Sequence, residues 1–152
     1  MIKVNVEVDH KRWFQKIKNP KNYFKNKLIK ISKTVNFLKK KNTIFTILLT
    51  GSLKMRKLNK KFRKKNKSTD VLSFPALSPS SLKSIKEKNI YIGDIATCYE
   101  IINNRSYKSS FHLEFDKVWI HGLLHLLGYD HKKNKDYFKM HKIEKKIINS
   151  IN

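Results

Sequence analysis

The stretch "HGLLHLLGYDH", residues 121 to 131, holds three of the chain's six histidines. Its first seven residues close a helical pattern that runs from Phe111 to Leu127. On that helix His121 and His125 stand four apart, so their side chains leave one face with Cβ atoms roughly 6 Å apart. Two imidazoles so placed can grip one ion. Gly128 is suited to end the helix in a left-handed conformation that a Cβ would penalise, and the chain can then double back to deliver His131 as a third ligand. Three protein ligands with a fourth position open is the arrangement of a catalytic zinc, whereas a structural zinc is more often closed by four. The plainer alternative is a helix whose histidines only pack or face solvent. It accounts well for one histidine and poorly for three at this spacing. His10, His112 and His141 have no such spacing and read as ordinary core or surface residues.

Composition limits what can surround such a site. A chain of 152 residues fits one domain, 1–152. With 39% hydrophobic residues it can bury a real core, although 30% charged residues and a negative mean hydropathy put it on the polar side of globular proteins. The single cysteine, Cys98, excludes an intramolecular disulfide and any cysteine-rich zinc site, so a metal must rest on His, Asp or Glu. No basic-then-apolar leader opens the chain and no apolar run nears the roughly 20 residues that span a bilayer, so the expected location is the cytoplasm. The net charge of +24 favours a polyanionic partner, nucleic acid before an anionic membrane surface. Only Arg12, Arg56, Arg63 and Arg105 among the 35 basic residues are arginine. Lysine in such excess, beside abundant Asn and Ile, is what an AT-rich genome writes onto any surface. The charge permits RNA binding without identifying it.

Outward from the histidine helix, short strand patterns alternate with helical ones. "IKVNVEV" (Ile2 to Val8) alternates apolar and polar in period two. Asn19-Pro20 opens a helical segment whose apolar residues Tyr23, Leu28, Ile29, Ile31, Val35 and Leu38 recur at near-helical spacing. "NTIFTILLT" (Asn42 to Thr50) is a β-rich run, and Gly51-Ser52 leads into a short basic helix ending near Phe62. "TDVLSFP" reads as a strand stopped by Pro75, residues 76 to 89 as a surface loop, and "IYIGDIATC" as a fourth strand. Helical patterns follow from about Tyr99 to Tyr107, Phe111 to Leu127 and Lys135 to Ile148. Four strands and about five helices in mixed order predict an α+β domain with a small mixed sheet.

The histidine spacing is that of the metzincin peptidases, H-E-x-x-H-x-x-G-x-x-H, with one change. Gly122 stands where those enzymes keep the glutamate that acts as general base, which argues against peptide hydrolysis. Two readings of this glycine are available: it leaves open volume beside the metal for an anionic substrate group, or it lets the helix pack closely against a strand.

"HGLLHLLGYDH" resembles the signature of the YbeY family of ribosomal RNA maturation factors, H-G-x-L-H-L-x-G-Y-D-H, at every fixed position. "LNKKFRKKNKSTDVLSFP" (Leu58 to Pro75) and "IGDIATC" (Ile92 to Cys98) resemble two further family blocks, in the family's order. The resemblance covers essentially the whole chain. It implies a single-domain α+β fold with a metzincin-like site, one zinc ion on His121, His125 and His131, and single-strand-specific endoribonuclease activity. It also implies maturation of the 16S ribosomal RNA 3′ end and ribosome quality control, with single-stranded RNA, ribosomal RNA and the small ribosomal subunit as partners. Neither a membrane nor DNA is expected. One segment departs from the pattern: after the motif, where the family is often acidic, this chain reads "KKNKDYFKMHKIEKK".

Carried over residue by residue, the resemblance assigns Arg63 a catalytic role. Its guanidinium can hold two non-bridging phosphate oxygens and stabilise charge that builds in the transition state. Lys65 is expected to contact phosphate on the same loop, and Asn59 and Thr69 to hold the loop's shape. Asp94 is expected at the catalytic site, to orient a ligand imidazole, position a water or cap a turn. Asp130 is expected either to hydrogen-bond behind a ligand or to shape the loop. Tyr129 and Cys98 read as packed residues. The rival functions are a non-catalytic RNA-binding ribosome assembly factor with a structural zinc, and a metallopeptidase, which Gly122 disfavours.

Overall fold

The alternation of Ile2–Val8 becomes strand β1, and the β-rich run Asn42–Thr50 becomes β2, paired parallel to it with Ile2 opposite Thr43. Strand β4, Asn89–Cys98, lies parallel on the other side of β2, and the short β3, Val71–Pro75, runs antiparallel along β4 as an edge. The order β1-β2-β4-β3 is therefore a mixed four-stranded sheet, as the α+β reading requires. The computed structural model describes residues 1–152 throughout.

Eight α-helices accompany the sheet, three more than the periodicity indicates. The five anticipated ones are α2 (Pro20–Thr34), α4 (Ser52–Arg63), α6 (Tyr99–Arg105), α7 (Phe111–Leu126) and α8 (Asn134–Ile151). The additional three are α1 (Trp13–Lys16), α3 (Asn36–Lys40) and α5 (Pro79–Ser84), each too short to display a 3.6-residue period. Helix α5 corrects the reading of 76–89 as a plain loop. Ser78 caps it through its side chain on the Ser81 amide, Pro79 occupies its first turn, and Leu82 anchors it in the core. Val35 is extended, so α2 stops before it and Leu38 belongs to α3 instead.

One face of the sheet carries most of the core. There α7 lies across β3 and β4, flanked by α2 and α8. Ten of the sixteen residues of α7 are buried, which makes it the central helix. Trp13, Phe24, Phe111, Phe115 and Trp119 pack edge-on or tilted around it, with ring centroids 4.8–6.3 Å apart. The opposite face is smaller: Met55 of α4 meets Leu72, Ala96 and Cys98. Cys98 is a fully buried free thiol, as its packed reading requires. No helix is long and apolar enough to cross a membrane.

A single buried carboxylate ties α2 to α7. Asp116, wholly buried, accepts hydrogen bonds from Tyr23 Oη at 2.8 Å and Trp119 Nε1 at 2.9 Å, and pairs with Lys27 Nζ. Burial and the adjacent Asp116 carboxylate push the Tyr23 hydroxyl far above its ordinary value, so it remains the donor. Removing Asp116 strands a half-buried ammonium and two donors together. Asp116→Ala is therefore expected to destabilise the fold by about 3–5 kcal/mol, read as a lower denaturant midpoint. A midpoint within experimental error of the parent's would show that the cluster contributes nothing.

Candidate metal centre and cationic cleft

Helix α7 ends in the hydrogen-bond pattern that Gly128 makes possible. The Gly128 amide donates to His125 O at 3.0 Å and the Tyr129 amide to Leu124 O at 3.0 Å, with Gly128 at φ 82°. This reversal brings Tyr129 O over His125 and carries His131 back to the helix end. The three imidazoles of His121, His125 and His131 converge, each offering one ligand atom, with all three atoms within 4.8 Å of one another.

The hydrogen bonds behind the rings decide which nitrogens face inward. His125 Nδ1 lies 3.0 Å from Tyr129 O and His121 Nδ1 lies 3.2 Å from Glu144 Oε1. Both partners are acceptors, so each Nδ1 carries the proton and each Nε2 keeps its lone pair. The two Nε2 atoms sit 3.0 Å apart. A tetrahedral ion with bonds of roughly 2.0–2.1 Å sets its donor atoms about 3.3 Å apart. Burial, followed by the neighbouring His121, holds the His125 imidazole below its ordinary value, which keeps it neutral. The donor set fits a single metal ion, with an all-nitrogen shell suited to zinc among other divalent metals.

The histidines form one wall of a cleft of about 750 Å³. Arg63, Lys65 and Lys67 line the same cleft, together with Val71 and Ser73 of β3. Arg63 is the last residue of α4, and its Nη2 donates to Ser73 O at 3.2 Å. The loop beyond it is held by the buried Asn59, whose Nδ2 donates to Lys67 O at 2.7 Å. Thr69 also lines the cleft, its hydroxyl donating to Asp70 Oδ1 at 3.2 Å. Asp130 accepts from the His131 amide at 2.7 Å and lies 3.9 Å from Lys132 Nζ. That contact shapes the turn delivering His131 and leaves the imidazole itself untouched. It also holds the Asp130 carboxyl below its ordinary value. Tyr129 packs against the core at the cleft's edge.

Asp94 is not brought to the histidines. Strand β4 carries a bulge at Ile92–Gly93: Ile44 pairs with Tyr91 and Phe45 with Gly93. Gly93 has φ 130°, and a Cβ there would lie 2.2 Å from Phe74 O. The extra residue shifts the alternation by one, so Asp94 shares the outer face with Tyr91, whose hydroxyl donates to it. Its pocket is a separate one, with Glu7, Thr46 and Leu58. Conversely, Glu144 reaches His121 from α8, a contact that sequence reasoning missed. The available signal was a lone glutamate in a run of lysines, on the helix's inner face.

Gly122 lines no part of the cleft. A Cβ on it would meet Ile95 Cγ2 at 3.0 Å, Ser73 Oγ at 3.1 Å and Val71 Cγ2 at 3.2 Å. The structure thus decides for close packing and against an open volume beside the metal.

Together these features define a class: an α+β domain whose central helix and following turn present three histidines that could hold a metal ion in a cationic cleft. The Endoribonuclease YbeY family model matches residues 7–152. A Pelagibacter ubique protein named Endoribonuclease YbeY is 43% identical, covering 99% of this chain and 97% of its own length. Proteins of the same name from Buchnera aphidicola and Ehrlichia canis are 41% and 34% identical, covering 89% and 99% of this chain and 86% and 93% of their own. A Thermotoga maritima protein solved in solution superimposes with a TM-score of 0.63 at 26% identity, over 99% of this chain and 89% of that one. The chain belongs to the YbeY endoribonuclease family.

Two outcomes follow from the geometry. Overpacking at the helix–sheet contact should make Gly122→Ala less stable by about 1–3 kcal/mol, and Gly122→Glu should give no cooperative thermal melt; a Gly122→Glu protein melting at the parent's temperature would refute the packing account. Glu144→Gln should weaken divalent-metal binding about 10- to 100-fold in a competitive chelator titration, because the amide no longer offers His121 Nδ1–H a charged acceptor. Equal affinities for parent and variant would remove Glu144 from the site.

Proposed function

We propose that this chain is a zinc-dependent endoribonuclease specific for single strands, acting in 16S ribosomal RNA 3′-end maturation and ribosome quality control. The observation that carries the reading is that the three histidines and Arg63 line one cleft. Membership of an endoribonuclease family supports it.

His121, His125 and His131 would hold the ion, which when bound supplies Lewis acidity toward a phosphodiester. The remaining work falls to the chain's own groups. Arg63 offers the guanidinium edge not committed to Ser73 O, and a phosphate entering the cleft can take it across two non-bridging oxygens. Lys65 and Lys67 lie along the same wall and suit the flanking phosphates. Asp130, by fixing the His131 amide, holds the third ligand's turn in place. Asp94 faces another surface, where it accepts from the Tyr91 hydroxyl and shares a pocket with Glu7.

The test is cleavage of a defined single-stranded RNA on a nuclease-free preparation whose metal content is measured in parallel. Chelation should abolish cleavage and zinc should restore it. Arg63→Ala should keep its zinc and its melting temperature while losing roughly 100-fold or more in turnover, the scale of removing one charged group from transition-state stabilisation. Undiminished turnover in metal-replete Arg63→Ala would make the arginine structural. Cleavage that survives complete metal removal would overturn the proposed chemistry.

A further inference from the structure

Helix α8 carries aromatic residues that neither the core nor the metal centre uses. Tyr137 and His141, four residues apart, stack with ring planes 2° apart and centroids at 5.9 Å. Phe138 sits edge-on to Tyr137 at 5.7 Å. Tyr137 is 49% exposed and Phe138 is 68% exposed, on a helix whose inner face buries Met140, Ile147 and Ile151. Adjacent large rings left to water in this way mark a surface that meets something.

Three observations say what it meets. The rings stand among the exposed cations Lys132, Lys133, Lys135, Lys139 and Lys142, with Asp136 as the one acidic residue between positions 132 and 142. That setting suits a polyanion that also offers flat apolar faces. Secondly, the patch is continuous with the metal centre. Glu144 Oε1 takes His121 Nδ1 at 3.2 Å, while Glu144 Oε2 lies 3.9 Å from Nδ1 of His141. The stack therefore begins one carboxylate away from a metal ligand. Thirdly, Lys132 lines the cleft and lies only a few residues ahead of the rings, so a strand leaving the cleft has a cationic path onto α8.

We propose that Tyr137 and Phe138, backed by His141, form a base-stacking platform that receives the nucleotides flanking the scissile phosphate of a single-stranded RNA. This rests on the ribonuclease reading above and adds a subsite to it. Each unpaired base has a π-face to lay on a ring, whereas a duplex keeps its bases stacked on one another, so the platform selects single strands without reading sequence. The lysines hold the intervening phosphates, and the rings discriminate.

The experiment compares parent, Tyr137→Ala/Phe138→Ala, and the ring-preserving Tyr137→Phe/Phe138→Tyr, all zinc-replete, on a single-stranded RNA oligonucleotide. Loss of both rings is expected to raise KM at least tenfold with kcat within about twofold and an unchanged salt slope, because stacking is lost and no phosphate contact is. The ring-preserving variant should return KM to within about twofold of the parent's. Tyr107→Ala, which removes an exposed aromatic just before α7 begins, should leave KM unchanged. A double-alanine variant with the parent's KM, or one that loses kcat alone, overturns the platform while the ribonuclease reading stands on the parent's own cleavage. A parent that cuts no RNA fails that reading first, and the platform falls with it.

Discussion

The absence of a side chain at Gly122 sets the distance between α7 and the sheet, and the rest of the site depends on that distance. With Ile95, Ser73 and Val71 pressed to within about one atom's contact of the glycine, the helix lies directly on β3 and β4. Ser73 then serves both walls of the cleft. Its hydroxyl donates to Gly122 O at 3.3 Å, and its carbonyl accepts from Arg63 at 3.2 Å. One strand residue therefore holds both the helix that bears the histidines and the arginine that shares their cleft. A close-packed interior transmits displacement, so the cleft's width follows from this contact.

Charge acts differently in the fold and in the cleft. A net +24 is a self-repelling surface, and it contributes nothing to specifying the architecture. Inside, charge is sparse and partnered: Asp116 meets Lys27 and two neutral donors; nearer the surface, Asp70, just ahead of β3, pairs with Arg105 of α6. The candidate metal centre is a cluster of three imidazoles within this cationic surface. Surface lysines become informative only where the loop after α4 gathers Lys65 and Lys67 into the cleft that the histidines line.

Helix α8 shows how a compositional oddity resolves into parts. Its inner face supplies Met140, Ile147 and Ile151 to the core. At the margin between core and water, Glu144 orients His121, and beyond it Tyr137, Phe138 and His141 stand exposed. Within this lysine-rich segment, Glu144 is the carboxylate that touches the imidazole of His121.

Local chemistry made part of this molecule readable from its residues. The spacing of His121 and His125 is a property of any α-helix, the turn at Gly128 needs only a residue free to adopt positive φ, and period-two alternation marks β1 without reference to its neighbours. The short helices α1, α3 and α5 escaped because a turn or two of helix is stabilised by what it packs on, as Leu82 is, and carries no period of its own. The surface that Asp94 reaches was not legible because it depends on a bulge that Gly93 permits and the approach of Phe74 O requires. Glu144 was invisible, and the two readings of Gly122 could not be separated, for a common reason: each depends on an element distant in sequence, α8 against α7 and α7 against the sheet. The sequence by itself determined which residues could bind a metal and where the chain would turn to present them. Tertiary structure alone decided which groups lie behind them and across from them, because those contacts are made between faces whose meeting no local period records.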